Sequence, residues 1–448
     1  MKGQPTRRRD RRTVTLKSDA HLRRGCLALT SRASGHEPST GKRALVCAPL
    51  MPEFDREGGS RRTYDFILFL RDQGWSVTFV SRSSMGPADR YVKVLEEAGV
   101  VALPMRGDNI DDLIRRGQFD LAILAFWHIA DLYLPALRAL SPRTKVIVDS
   151  IDLHFVRNAR EAFVQPTDAS LPGLVGAGCG EEFARELNAY AAADAVAVVS
   201  NKEAELLNIL LGDQANAHVV PLCDDMRVST RPFNRRRGLL FIGNFRHAPN
   251  IYAVQYLCDD ILPRLPADVL ESHPLYIVGN GLDDTVREAV AGLNHIRLGG
   301  WVPDLAPYLE QTRVAVVPLR YGAGTKCKVI QSLMIGTPSV STTICIEGLD
   351  LQNGDHVSVA DDAESFAEAI VRLTRDRTLW HRLASNGRRH IVATHSRETA
   401  RRQFLEIVEA ALRTTGKRPS LQHSRRTTAL YSSPHVYTDL VERVGAAV

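Results

Sequence analysis

No apolar run in this 448-residue chain approaches the ~18 residues that a membrane-spanning helix needs. Cysteine is sparse and scattered. The seven cysteines, Cys26, Cys47, Cys179, Cys223, Cys258, Cys327 and Cys345, are odd in number and include no Cys-x-x-Cys pair or companion histidine cluster. That excludes a zinc site and points to a reducing compartment. No paired Asp-x-Asp at a strand end offers itself to a divalent metal. Two familiar phosphate loops are missing as well: no Gly-Lys-Ser/Thr closes a P-loop, and nothing glycine-like follows Gly322 and Gly324 at the third position of a dinucleotide fingerprint.

A basic surface over the fold is also absent. The formal net charge is +6, but it sits at the ends. Residues 1 to 43 carry twelve Lys/Arg against three Asp/Glu, and residues 413 to 448 carry six against two, so the body from 44 to 412 is net acidic. An acidic body argues against a nucleic-acid groove. Residues 1 to 43 read as a disordered basic tail that is either a solubilising arm or a contact for anionic membrane. Its RRRDRRTVTLK run superficially resembles a twin-arginine signal, but only Cys26 to Leu29 could serve as the apolar core.

What is present is an alternation of apolar β-branched runs and helix-length segments. Strand-like runs start at Ala44 and recur near 78, 100, 120, 145 and 195, then near 240, 275, 297, 314 and 339. Such alternation implies parallel, doubly wound sheets, and the length favours two domains. The polar stretch from Pro221 to Arg237 reads as the break between them. The expected units are 44–222, a linker at 223–237, 238–395, a C-terminal helix at 396–414 packing back on the first domain, and a tail from 415 to 448.

The most informative stretch is Val314 to Leu349. It reads as a buried strand, a loop with Gly322 and Gly324, a helix from about Lys326 to Ile335, a stop at Gly336 and Pro338, and a strand from Ser339 to Thr343. A glycine loop ahead of a helix N-terminus suits an anion. The plainer alternative is a tight turn with a solvated lysine pair, Lys326 and Lys328. Gly58 and Gly59 stand just ahead of another expected helix, which makes a second such loop. Two α/β domains with loops of this kind would hold a small anionic ligand between them.

The stretches FIGNFRHAPN, GWVPDLAPYL, VVPLRYGAGTKCKVIQSLMIGTPSVSTT and EGL resemble the donor-nucleotide domain of the family-four retaining glycosyltransferases of GT-B fold. EFDREGGSRR and VDSIDLHFVR resemble the corresponding N-terminal loops, so the resemblance runs from about 44 to 412. It implies an α/β GT-B architecture of two Rossmann-like domains and a nucleotide diphosphate sugar as donor substrate. It further implies a hydroxyl acceptor that is carbohydrate or lipid-linked, no metal or other cofactor, and a cytoplasmic place in surface polysaccharide or glycoconjugate synthesis. Gly59, Asn244, Gly322, Gly324 and Thr325 would line the donor site, Arg246 and Lys326 would neutralise the diphosphate, and Lys328 would either add a contact or be solvated. His154 would face the transferred sugar, with Asp149 and Asp152 either orienting it or forming turns; turns are the expectation for Asp152. Cys327 reads as a buried unreactive thiol, Trp301 and Tyr321 as walls.

One departure stands out. The family's pair of glutamates falls on Ala323 and Gln331. Gln331 keeps a carbonyl acceptor and two donors but lacks charge. Glu347 offers another carboxylate, or is a solvated or capping residue. Two alternatives therefore stand beside a transferase: a catalytically impaired nucleotide-sugar-binding or scaffolding protein, and an epimerase on the same fold, for which paired cleft carboxylates would be expected.

Overall fold

A computed structural model describes residues 41–83, 88–104, 110–164, 177–212, 215–282 and 284–415. The two basic tails, residues 1–40 and 416–448, lie outside the described residues, as do residues 165–176. Among the described residues, no helix is long and apolar enough to cross a membrane.

The first domain is a seven-stranded parallel sheet of β1 (Arg43–Ala48), β2 (Ser76–Ser81), β3 (Val101–Pro104), β4 (Leu121–Ala125), β5 (Lys145–Asp149), β6 (Ala195–Val198) and β7 (Ala217–Val219). Its order is β3-β2-β1-β4-β5-β6-β7. The second domain has six parallel strands: β8 (Leu239–Ile242), β9 (Leu275–Val278), β10 (Ile296–Gly300), β11 (Val314–Val317), β12 (Ser339–Ser341) and β13 (Ser358–Val359). Their order is β10-β9-β8-β11-β12-β13. In both sheets the order reverses beside the first strand, which opens a crevice at the carboxyl ends of the strands.

Alternation along β1 shows why such a sheet needs helices on both faces. Leu45 and Cys47 enter one core with Tyr133, Leu137 and Tyr190, while Ala44, Val46 and Ala48 enter the opposite one with Phe66, Phe69 and Phe404. Side chains two apart share a face, so a strand apolar throughout is covered twice. Phe404 belongs to the last helix, Arg397–Arg413, which crosses back to the first domain. There its ring stacks on Phe66 at 4.3 Å, and Arg397 pairs with the buried Asp65 at 3.2 Å.

Three local expectations meet corrections. The stretch Ser339 to Thr343 is strand only to Ser341, and a short helix Thr343–Ile346 follows, because Thr343 caps onto Asp361 through its amide and hydroxyl. In the polar run Arg235 to Arg237, the outer two arginines are exposed but the middle one is not. Arg236 is only 1% exposed, and its guanidinium donates to the Leu309 and Thr312 carbonyls and to the Thr337 hydroxyl. The strands β7 and β13 were not anticipated; at three and two residues they are too short to leave a periodic signal.

Candidate active site

The two sheets face each other across a cleft of about 1010 Å³, lined from both domains. Two helices begin at its walls. One, Gly58–Asp72, starts after Glu57, and the other, Cys327–Ile335, starts after Lys326; neither start has a side-chain cap. Uncapped starts leave first-turn N–H groups directed outward, each carrying the positive end of a helix dipole. The starts are close together: a Cβ added at Gly58 would lie 2.9 Å from Cys327 Sγ. At the other end of the glycine loop, Gly324 has φ +66°, and a Cβ there would meet Asp152 Cβ at 3.1 Å. Glycine is thus required where the second domain's loop touches the first domain.

The lysines are less exposed than expected of a solvated pair. Lys326 is half-buried, and its ammonium donates to the Ala323 and Gly324 carbonyls. Burial lowers its pKa, against the opposing pull of Cys345 and Glu347. Lys328 donates to Asn250 Oδ1 at 2.5 Å and lies 5.3 Å over the Phe241 ring. Burial brings its pKa down to about 8. Cys327 is half-buried, packs against the second domain's core and also lines the cleft, and burial raises its thiol pKa to about 11. Thr325 is buried with its hydroxyl unpartnered and lines the same space, as do Gly59, Asn244, Gly322 and Gln331. Asn244 Oδ1 accepts from the Arg246 amide, folding the loop after β8.

A smaller cavity of about 440 Å³ adjoins the first, sharing Gly59, Phe126, Arg157 and Tyr321 with it. His154, His128 and the exposed Arg246 line this second space. Trp127 Nε1 donates to His154 Nδ1 at 3.0 Å. Nδ1 is therefore the acceptor, and the ring proton belongs on Nε2, which lies 3.4 Å from Asp152 Oδ1. Asp152 is not merely a turn residue, since it also accepts from Arg157 Nη1 at 2.8 Å. Burial would raise its pKa, but the His154 contact and the Arg157 charge outweigh that and hold it low. Asp149 does not reach His154. It accepts from Arg62 Nε at 2.9 Å and 3.0 Å, and Arg62 continues to the carbonyls of Val220 and Pro221.

Phe126, just past β4, lines both cavities, and Ile151, beyond the end of β5, lines the first. Both hold positive φ, 72° and 61°, which is costly for a bulky and a β-branched residue and concentrates where a ligand site over-determines the backbone. Sequence reasoning missed them because side-chain type gives no sign of such a backbone.

The remaining candidates have other partners. Gln331 Nε2 donates to Asp224 Oδ2 at 2.9 Å, so a carboxylate from the crossover segment stands beside the uncharged position. Glu347 does not line the cleft. It stands at the C-cap position of Thr343–Ile346, and its carboxylate is gripped by Arg160 and Lys202. Asp224, on the cleft wall, and Arg160, behind the glycine loop, are further residues that the sequence did not suggest. A partner more than a hundred residues away leaves no local signal.

Comparison with known proteins places this architecture. Residues 236–376 match the family described as Glycosyl transferases group 1. A lipopolysaccharide core biosynthesis glycosyltransferase, LpsE of Rhizobium meliloti, is 29% identical over 140 residues, 30% of this chain and 41% of that protein. The chain therefore matches well under half the length of this curated relative. Anabaena HepE, solved with UDP and glucose, superposes with a TM-score of 0.63 at 13% identity, covering 82% of this chain and 100% of that one. Sucrose-phosphate synthase of Thermosynechococcus elongatus gives 0.59 at 16% identity, covering 82% and 98%. The chain has the GT-B fold. The family match lies within the C-terminal domain.

Proposed function

We propose that the protein is a retaining glycosyltransferase that moves a sugar from a nucleoside diphosphate donor to a hydroxyl of a carbohydrate or lipid-linked acceptor in glycan synthesis. The observation that carries this reading is the pair of uncapped helix starts, at Gly58 and Cys327, facing one space from opposite domains. A diphosphate between them receives N–H donors and dipole charge from both sides, with Lys326 and Lys328 as cations, so the domains meet around it. The HepE complexes with UDP and with UDP-glucose support a nucleotide of this type.

In the reaction the acceptor oxygen attacks the anomeric carbon while the bond from that carbon to the diphosphate oxygen breaks. The acceptor proton passes to the departing phosphate oxygen. Charge grows on the diphosphate as the bond lengthens, so fixed cations and dipoles hold the transition state more tightly than the ground state. Attack from the leaving-group face gives retention without a covalent intermediate. Asp152, the carboxylate beside the His154 ring, is occupied by Arg157 and is poorly free to act as a nucleophile. The second cavity, with His154 at its edge, takes the acceptor.

Gln331 favours a second reading, a donor-binding protein of reduced catalytic power, because its amide is engaged with Asp224. A panel of UDP-, GDP- and ADP-sugars tests both. A bound donor at ~100 times its dissociation constant stabilises the fold by about 2.7 kcal/mol. Stabilisation with nucleotide release, even slow release without acceptor, supports the transferase. Stabilisation with no release supports the second reading, and no stabilisation by any sugar nucleotide refutes both. We further propose that the N-terminal tail draws the enzyme to the inner face of a membrane. Unchanged binding of a chain lacking residues 1–40 to anionic vesicles at low salt would refute that.

A further inference from the structure

We infer that Arg160 is a positioning residue that sets the glycine loop of the donor site against the domain carrying His154; this rests on the reading of the cleft given above. Arg160 lies on the helix His154–Val164, which His154 begins. It is 6% exposed. Its guanidinium leaves its own domain: Nη1 donates to the Gly322 carbonyl at 2.8 Å and to Glu347 Oε2 at 2.6 Å, and Nη2 donates to Glu347 Oε1 at 2.8 Å. Burial would raise the Glu347 pKa, but Arg160 and Lys202 outweigh it and hold the carboxyl at about 2. The acceptor is therefore a full carboxylate and the fork is charge-assisted at both prongs.

The chain positions explain what the fork does. Gly322 opens the loop that ends at Lys326, and Glu347 stands at the turn after Thr343–Ile346. One planar side chain thus fixes the helix of His154, the first carbonyl of the phosphate loop and the turn beyond β12. A buried ion pair of this kind adds little net stability over an apolar replacement, but it specifies geometry. Lys202 supplies an internal control. Its ammonium contacts the same Glu347 carboxylate, is 51% exposed and does not reach Gly322.

The test uses the full chain with Arg160→Met, Arg160→Lys, Lys202→Met and Glu347→Gln. Hydrogen exchange of the ligand-free proteins follows residues 322–327. Calorimetric titration uses UDP, ADP and GDP as probes, the tightest being carried through the series. Arg160→Met should speed exchange of the loop and weaken the diphosphate tenfold or more. Arg160→Lys should fall between it and the wild type, and Glu347→Gln likewise, while Lys202→Met stays within twofold. If Lys202→Met matches Arg160→Met, neutralising Glu347 is the whole effect and the positioning role is wrong. If Arg160→Met exchanges and binds like the wild type, it is also wrong. Should no diphosphate bind the wild type, the functional reading fails while loop exchange still decides the role of Arg160. Should Arg160→Met not fold, the comparison of Arg160→Lys with Lys202→Met decides it.

Discussion

Raising the pH from 7 to 9 should weaken nucleoside diphosphate binding about tenfold through Lys328, while leaving the empty protein more stable. In the empty cleft, burial holds the Lys328 pKa at about 8 instead of 10.5. Keeping the ammonium charged there costs up to about 3 kcal/mol. In the unfolded chain it carries its proton until about pH 10.5, so between pH 8 and 10.5 the unfolded state binds more protons. Stability of the empty protein therefore rises with pH across that window. Binding has the opposite sign. A diphosphate at the start of Cys327–Ile335 favours the ammonium, so the bound complex retains a proton that the empty cleft has lost above pH 8. Affinity then falls by up to about tenfold per unit until the bound-state pKa is reached. Calorimetry in buffers of different ionisation enthalpy should show uptake of nearly one proton per ligand at pH 9 and little at pH 7. Lys328→Met should abolish the difference, bind more weakly at pH 7 and raise the Tm of the empty protein, since it removes a buried charge. Equal proton uptake by wild type and Lys328→Met would refute the placement of the phosphates beside Lys328.

Other perturbations separate structure from chemistry. Lys326→Ala should lower donor turnover by about a hundredfold or more, and, because its ammonium also holds the Ala323 and Gly324 carbonyls, it should cost some Tm as well; near-normal turnover at saturating donor would remove Lys326 from the chemistry. Gly58→Val should leave each domain folded but abolish nucleotide binding, since even its Cβ would meet Cys327 Sγ at 2.9 Å; unimpaired binding would show that the helix starts do not close on a ligand. Phe404→Ala should destabilise the first domain by about 3–5 kcal/mol in denaturant unfolding, because the ring stacks on Phe66 in its core. A loss below ~1 kcal/mol would mean the last helix is not integral to that domain.

The alternation of apolar runs was enough to read two parallel sheets, because strands covered on both faces need continuous hydrophobicity and the helices between them are long. The glycine loop after β11 was legible for a related reason, whereas Gly58 and Gly59, expected ahead of a helix, are its first two residues. Gly322, Gly324 and Gly336 all take positive φ, and only glycine does so without strain. Partners from across the fold were not legible. Nothing near Asp149 in sequence points to Arg62, 87 residues away, nor anything near Gln331 to Asp224, 107 residues away. Exposure misled for the same reason. The formal charges of Lys326 and Lys328 allowed a solvated pair, yet backbone carbonyls and an aromatic face take up their donors and stems. Residues such as Glu347 illustrate the limit: its motif neighbours mark a loop, but only the folded chain shows that Arg160 and Lys202 already occupy its oxygens.

The proposed chemistry depends most on where the diphosphate sits. A co-crystal structure with the tightest-binding sugar nucleotide tests it directly. The expected density places phosphate oxygens within hydrogen-bond distance of backbone N–H groups at both Gly59 and the first turn of Cys327–Ile335, with the Lys328 ammonium alongside and the sugar turned toward His154. A diphosphate held by one domain alone, or lying outside the space between the two helix starts, would contradict it.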